Sequence, residues 1–123
     1  MSDVVYEGKV EKFSLGRSTG VGARNWKTRH MRLTQSVLSY GDGPSATPKL
    51  EIPISAVSLL FRNPTTAEHA EASGSGAGNM IMLRLFANGV FNLLIKAPND
   101  VEKSKWVTAL SDVLGKVKGA QVV

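Results

Sequence analysis

Trp26-Lys27-Thr28-Arg29-His30-Met31-Arg32-Leu33 is the stretch on which the fold turns. It reads as a β-strand, and because strand side chains alternate, Lys27 and Arg29 fall on one face. Working back along the chain, Lys12, Arg17, Arg24, Lys27, Arg29 and Arg32 occur without an intervening acid. This stretch carries more net positive charge than the whole protein, whose formal charge is +5. Gly16, Gly20 and Gly22 lie just before the strand, so a flexible loop with accessible backbone N–H groups is expected there. A strand pair, a glycine-rich loop and a cationic cluster are the parts of an anion-binding pocket.

Composition narrows the anion and the setting. A chain of 123 residues is long enough for one core and hardly for two, so 1–123 is read as a single domain. The absence of cysteine excludes a disulfide framework and thiolate zinc, and makes a reducing, cytoplasmic compartment the natural expectation. The longest apolar runs, such as Ala56–Phe61, are too short to cross a bilayer. Residues 1–62 hold nine Lys/Arg against five Asp/Glu, whereas residues 63–123 hold six against five. The cationic excess therefore sits in the first half, and it favours phospholipid surfaces, nucleic acid or acidic protein as partners.

Outward from the opening stretch, short β-type segments come first and one helix last. Val4–Ser14 precedes Trp26–Leu33, and Thr34-Gln35-Ser36 leads tightly into Val37–Tyr40. Gly41-Asp42-Gly43-Pro44 is a turn signal, after which Leu50–Ile54 and Ala56–Phe61 read as two further strands. Met80–Phe86 and Val90–Ile95 flank Asn88-Gly89, a hairpin signal implying a type I′ turn. Between the last two pairs, 63–79 is rich in Ala, Ser, Gly and Thr, and it is read as a mobile loop because it has little apolar bulk to bury. In the final segment Asn99 can cap a helix, with Glu102 completing a capping box. Trp106, Ala109, Leu110, Val113, Leu114 and Val117 recur at spacings of three and four as one apolar stripe. Gly119 is the expected stop, leaving a frayed tail at 119–123. Seven strands and one amphipathic helix describe a strongly bent sheet or barrel, mainly β, with one end plugged by the helix.

Catalytic chemistry finds no foothold. Thiol catalysis is excluded, and His30 and His69 stand in unlike contexts, one in a strand and one in the 63–79 loop. There is no Gly-x-Ser-x-Gly elbow, phosphate-cradling Gly-x-x-x-x-Gly-Lys loop or His-Glu-x-x-His pair. Glu68, His69 and Glu71 make a poor ligand set, so neither a metal nor a cofactor is expected. An RNA-binding platform would need exposed aromatics for stacking. Here Phe13, Trp26, Phe61, Phe86, Phe91 and Trp106 are placed mostly where a core would want them.

The ordered set of segments resembles a pleckstrin homology (PH) domain from about Tyr6 to Val117. Glu7-Gly8-Lys9-Val10-Glu11-Lys12 is similar to the family's first strand, and Trp26-Lys27-Thr28-Arg29 to its second. Val37-Leu38-Ser39-Tyr40 resembles the third strand, and Pro48-Lys49-Leu50-Glu51-Ile52-Pro53-Ile54 the fourth. Trp106 matches the closing helix's most characteristic residue. The resemblance implies a seven-stranded bent β-sandwich or partly open barrel, capped by one C-terminal α-helix, with a lipid headgroup site at the open end.

It also implies which residues form that site. Lys12, Lys27 and Arg29 occupy the basic positions of phosphoinositide-binding members, Lys49 the basic position before strand four, and Arg17 or Arg24 the loop contact. Tyr40 is a further candidate, divided between packing and phosphate contact. It follows Ser39, one place later than the family's tyrosine, and is therefore expected on the opposite face. Arg32 is expected outside the pocket, and Val21 is the candidate for shallow membrane insertion. The implied function is non-catalytic membrane targeting through anionic phospholipids, as a monomer peripheral to the cytosolic face of membranes. The lipid is a phosphoinositide or phosphatidic acid, with a protein partner as the alternative and no nucleic acid.

Overall fold

The computed structural model describes residues 4–13, 26–45, 47–69, 71–74, 76–86, 89–117 and 119–123. In chain order the strands are β1 (Val4–Phe13), β2 (Trp26–Thr34), β3 (Val37–Gly41), β4 (Leu50–Pro53), β5 (Val57–Phe61), β6 (Met80–Phe86) and β7 (Val90–Lys96). Helix α1 (Asp100–Leu114) follows, and then a short strand β8 (Gln121–Val122). All eight strands join one sheet in the order β4-β3-β2-β1-β7-β6-β5-β8. The sheet is strongly bent but unclosed, and it is mainly β with a single C-terminal helix, as the sequence implied.

Strand alternation sorts the side chains onto two faces. Val10, Met31, Leu33, Leu38, Ile52, Ile81, Leu83, Leu93 and Ile95 point inward and join Trp106, Leu110, Val113 and Leu114 of α1 in the main core. The helix docks at the β1 start, where the Tyr6 ring meets Trp106 edge-on at 4.8 Å and the Tyr6 hydroxyl donates to Glu102. Asn99 Oδ1 accepts the Glu102 backbone N–H at 2.9 Å, which is half of a capping box. The Glu102 carboxylate is engaged elsewhere, by Tyr6 and by Lys105 at 3.8 Å.

Three boundaries differ from the sequence reading. The helix ends at Leu114 with Gly115 as its cap, not at Gly119. Gly119 instead takes a φ of +92°, a conformation open to glycine, and beyond it the chain lays Gln121–Val122 parallel to β5. Where a frayed tail was expected, Val123 N–H donates to Leu60 O at 2.8 Å. In the β6–β7 hairpin, Phe86 pairs with Val90, so three residues separate the paired ends and a two-residue type I′ turn does not fit. Gly89 has a φ of +133°, while Asn88 lies outside the described residues.

Part of the 63–79 segment packs against the sheet. A second, smaller core of Phe13, Ala72, Met80, Met82 and Leu94 lies on the outer face, with Trp26 and Phe61 against it. Ala72 is buried there and the His69 ring meets Phe13 edge-on at 5.5 Å. The composition of the segment understates this because the apolar surface it covers belongs to β1, β6 and β7.

Candidate functional site

Sheet register assembles the site. In the β1–β2 pair, Lys12 lies opposite Lys27 and Val10 opposite Arg29. Residues directly opposite across an antiparallel pair project to the same side, with Cβ atoms ~5 Å apart. Val10 is core, so Lys12, Lys27 and Arg29 all point to the inner face, at the end of the sheet away from α1. Two strands on, Tyr40 pairs with Met31, another core residue, which puts Tyr40 on that face too. This corrects the expectation for Tyr40. Leu38 is fully buried, and Tyr40, two residues later, keeps its parity.

The chemistry at this end is unusual for an interior. Lys12 is only 9% exposed, and its ammonium group lies 4.8 Å over the Tyr40 ring. Burial, together with the nearby charges of Arg29 and Lys27, pushes its pKa below the ordinary lysine value. Burial raises the Tyr40 pKa, and Arg29 partly opposes that. Arg29 Nη1 donates to Thr28 O at 3.0 Å and lies 3.5 Å from Asp42. Its Nε is buried with no hydrogen-bond partner among the described residues. Lys49 Nζ lies 3.6 Å from the other Asp42 oxygen, so one exposed carboxylate draws in a cation from β2 and another from the β3–β4 connection.

The turn that carries Asp42 is fixed by Gly41. A Cβ there would stand 3.2 Å from Thr47 O and 3.3 Å from Pro48 Cα, while Lys49 N–H donates to Tyr40 O at 2.8 Å. Glycine thus lets the β3–β4 connection close tightly enough to bring Lys49 beside Asp42. Lys12, Lys27, Arg29, Tyr40 and Lys49 therefore gather at one end. Arg17, Arg24 and Val21 lie outside the described residues. Arg32 faces outward, 3.2 Å from Glu7, which also meets His30 Nε2 at 2.7 Å. These two partners hold the Glu7 carboxyl below its usual range.

Sequence reasoning missed two features. Asp42 was read only as part of a turn, although an acid among cations in one connection marks an internal counter-ion. Phe86 and Phe91, assigned to the core, are 54% and 39% exposed. Their hairpin runs past the part of the sheet that the inner core fills.

The family model for the PH domain matches residues 4–115. The chain belongs to the PH domain family. No curated protein sequence matches it. Among solved structures, the Slm1 PH domain, for which ligand binding is demonstrated, superposes with a TM-score of 0.67 at 15% identity, covering 90% of this chain and 97% of that one. The C-terminal PH domain of pleckstrin, in complex with D-myo-Ins(1,2,3,5,6)P5, gives 0.64 at 19% identity, covering 93% and 98%. The PH domain of human pleckstrin homology domain-containing protein family A member 5 gives 0.65 at 19% identity, covering 95% and 80%. As a PH domain the chain is a non-catalytic lipid- or protein-binding module. Among the described residues no helix is long and apolar enough to cross a membrane, and no group of three or more His, Asp or Glu could hold a metal ion.

Proposed function

We propose that this PH domain is a membrane-targeting module that binds the phosphorylated headgroup of an anionic phospholipid, with phosphoinositides first among them. The pocket is formed by Lys12, Lys27, Arg29 and Lys49 at the open end of the sheet. The observation that carries the reading is Arg29, whose buried Nε has no hydrogen-bond partner among the described residues and which lies beside Lys12, whose ammonium form is already disfavoured by burial and then by its cationic neighbours. A buried donor left unpaired costs about 1–3 kcal/mol, and clustered cations repel one another. A phosphate monoester, with nearly two negative charges and three acceptor oxygens, answers both at once. Arginine can grip it with two parallel N–H bonds, while each lysine acts as a compact point charge. Arg17 and Arg24 are assigned to the same headgroup as contacts from the β1–β2 connection. Phosphatidic acid shares the phosphomonoester chemistry.

The test is a vesicle panel carrying single phosphoinositides or phosphatidic acid. The parent protein should sediment with at least one of them. Lys27→Ala with Arg29→Ala should abolish that sedimentation and barely change the melting temperature, because the Arg29–Asp42 pair is exposed on the Asp42 side and such pairs contribute ~0–1 kcal/mol. Undiminished pelleting of the double variant would show the pocket assignment to be wrong. Indifference of the parent to every lipid would move the function to a protein partner.

A further inference from the structure

The β6–β7 hairpin ends in apolar side chains on both of its faces. Phe86 and Val90 pair on the outer face and are 54% and 56% exposed. Phe91 pairs with buried Leu85 on the inner face, yet is itself 39% exposed. A strand with one face packed and one in water should be polar on the outside. One rung below, the outer face is polar, since Arg84 Nε donates to Asn92 Oδ1 at 3.0 Å. One rung further, Met82 and Leu94 are buried in the second core. The return to apolar residues at Phe86 and Val90 is thus confined to the end of the hairpin, and no described residue packs over them as the second core does over Met82.

The position of this end adds a second argument. β7 runs antiparallel to β1, with Ile95 opposite Lys12, so Val90 lies five residues beyond Lys12 on the side away from α1. The hairpin end and the cationic pocket therefore open in the same direction. They are also contiguous, because Leu50, the cross-strand partner of Tyr40, lines an apolar groove of about 220 Å³ together with Ile52, Leu85 and Phe91.

From this placement we infer that the β6–β7 hairpin end is a membrane-inserting wedge, with Phe86, Val90 and Phe91 entering the boundary between headgroups and acyl chains while the adjacent pocket holds an anionic headgroup. The inference rests on the headgroup reading for the second half of that sentence. Its occupant is the bilayer itself, chosen because an apolar end projecting beyond a cationic cluster complements a surface that is apolar below and anionic above. Two residues of strand separate the Phe86–Val90 rung from the Arg84–Asn92 rung, or ~7 Å. That matches the ~5–10 Å to which interfacial segments are buried, and it would leave Arg84 level with the phosphates.

The chain contains no cysteine, so Val90→Cys gives a unique attachment point for an environment-sensitive fluorophore, and Val101→Cys on α1 a control at the opposite end. With phosphatidylcholine vesicles containing phosphatidylinositol bisphosphate, the label at 90 should shift to the blue and be quenched by bromines on the acyl chains, while that at 101 should not. Phe86→Ser with Val90→Ser should weaken vesicle binding roughly tenfold or more. It should leave the affinity for soluble inositol trisphosphate and the melting temperature unchanged. A label that stays in water while the protein remains vesicle-bound overturns the wedge and leaves the headgroup reading standing. A shift that persists in Lys27→Ala/Arg29→Ala, together with a parent protein that is itself indifferent to inositol trisphosphate, upholds the wedge and removes the headgroup reading. A blue shift that grows with protein concentration without vesicles would overturn the wedge in favour of self-association.

Discussion

Lys12 holds a charge that its surroundings disfavour, and this makes it a reporter of what enters the pocket. Burial first, then Arg29 and Lys27, lower its pKa. Because the folded value lies below the unfolded one, protonated Lys12 costs stability at lower pH, and that cost fades as pH rises through the folded value. A bound phosphate reverses the balance by favouring the ammonium form, so binding above the depressed pKa requires proton uptake. Affinity for inositol trisphosphate should therefore begin to fall at a pH below the ordinary lysine value of ~10.4. Lys12→Arg, which does not titrate in that range, should flatten the profile, as calorimetry across alkaline pH would show. An unchanged profile in Lys12→Arg would place Lys12 outside the headgroup contact. Asp42 acts in the opposite sense, competing with the headgroup for Arg29 and Lys49 at 3.5 and 3.6 Å. Since its carboxylate is largely exposed, Asp42→Asn should tighten inositol trisphosphate binding only ~2–5-fold. Weaker binding in that variant would mean that Asp42 chiefly positions the two cations. None of this charge balance was legible from spacing. The cations could be listed from the sequence, but the depth of Lys12 and the turn that swings Asp42 between two strands depend on sheet register and on the close approach at Gly41.

At the scale of elements, α1 is fastened to β1 through Tyr6, Glu102 and Trp106. Burial, the hydrogen bond to Glu102 and that carboxylate's charge raise the Tyr6 pKa to about 12. A raised folded value means that the stabilisation is complete below the unfolded value of 10.0 and is lost as pH climbs through about 12. Tyr6→Phe keeps the edge-on ring contact with Trp106 and removes the hydroxyl, so it should cost about 1–2 kcal/mol at neutral pH. The deficit relative to the parent should close between pH 10 and about 12, measured by denaturant titration at stepped pH. A constant deficit would show that the ring's packing was disturbed instead. The helix itself was readable because its apolar period and its Asn99 cap are local signals. Its end at Gly115 was not, because Gly119 offers the stronger stop signal and serves a different turn. Likewise β8 escaped notice, since two residues carry no period and form a strand only because the free edge of β5 lies alongside.

For the whole molecule, the arrangement of charge matters more than its total. The net charge of +5 would attract any anionic surface in any orientation, but the inner-face cations and the apolar hairpin end share one end, while α1 lies at the other. Screening confines exposed charges to about 10 Å at moderate ionic strength, so lysines on the helix should add little to membrane association. Lys105, on α1, and Lys116, just past its end, are suitable probes: both are more than half exposed, Lys105 lies 3.8 Å from Glu102, and Lys116 lies 3.9 Å from Asp112 and donates to Gln35 Oε1 at 3.5 Å. Changing both to glutamine lowers the net charge by two while costing little stability, as such pairs contribute only tenths of a kcal/mol each. Sedimentation with phosphatidylinositol bisphosphate vesicles should change less than ~2-fold at moderate ionic strength. Lys27→Ala, which removes a single charge, should weaken it far more and make it less sensitive to salt. If the helix pair lost as much binding as Lys27→Ala, net charge would govern the encounter and the domain would have no preferred orientation. A sharp difference between them would mean that the bent sheet delivers its cations and its apolar end to the membrane as one oriented surface.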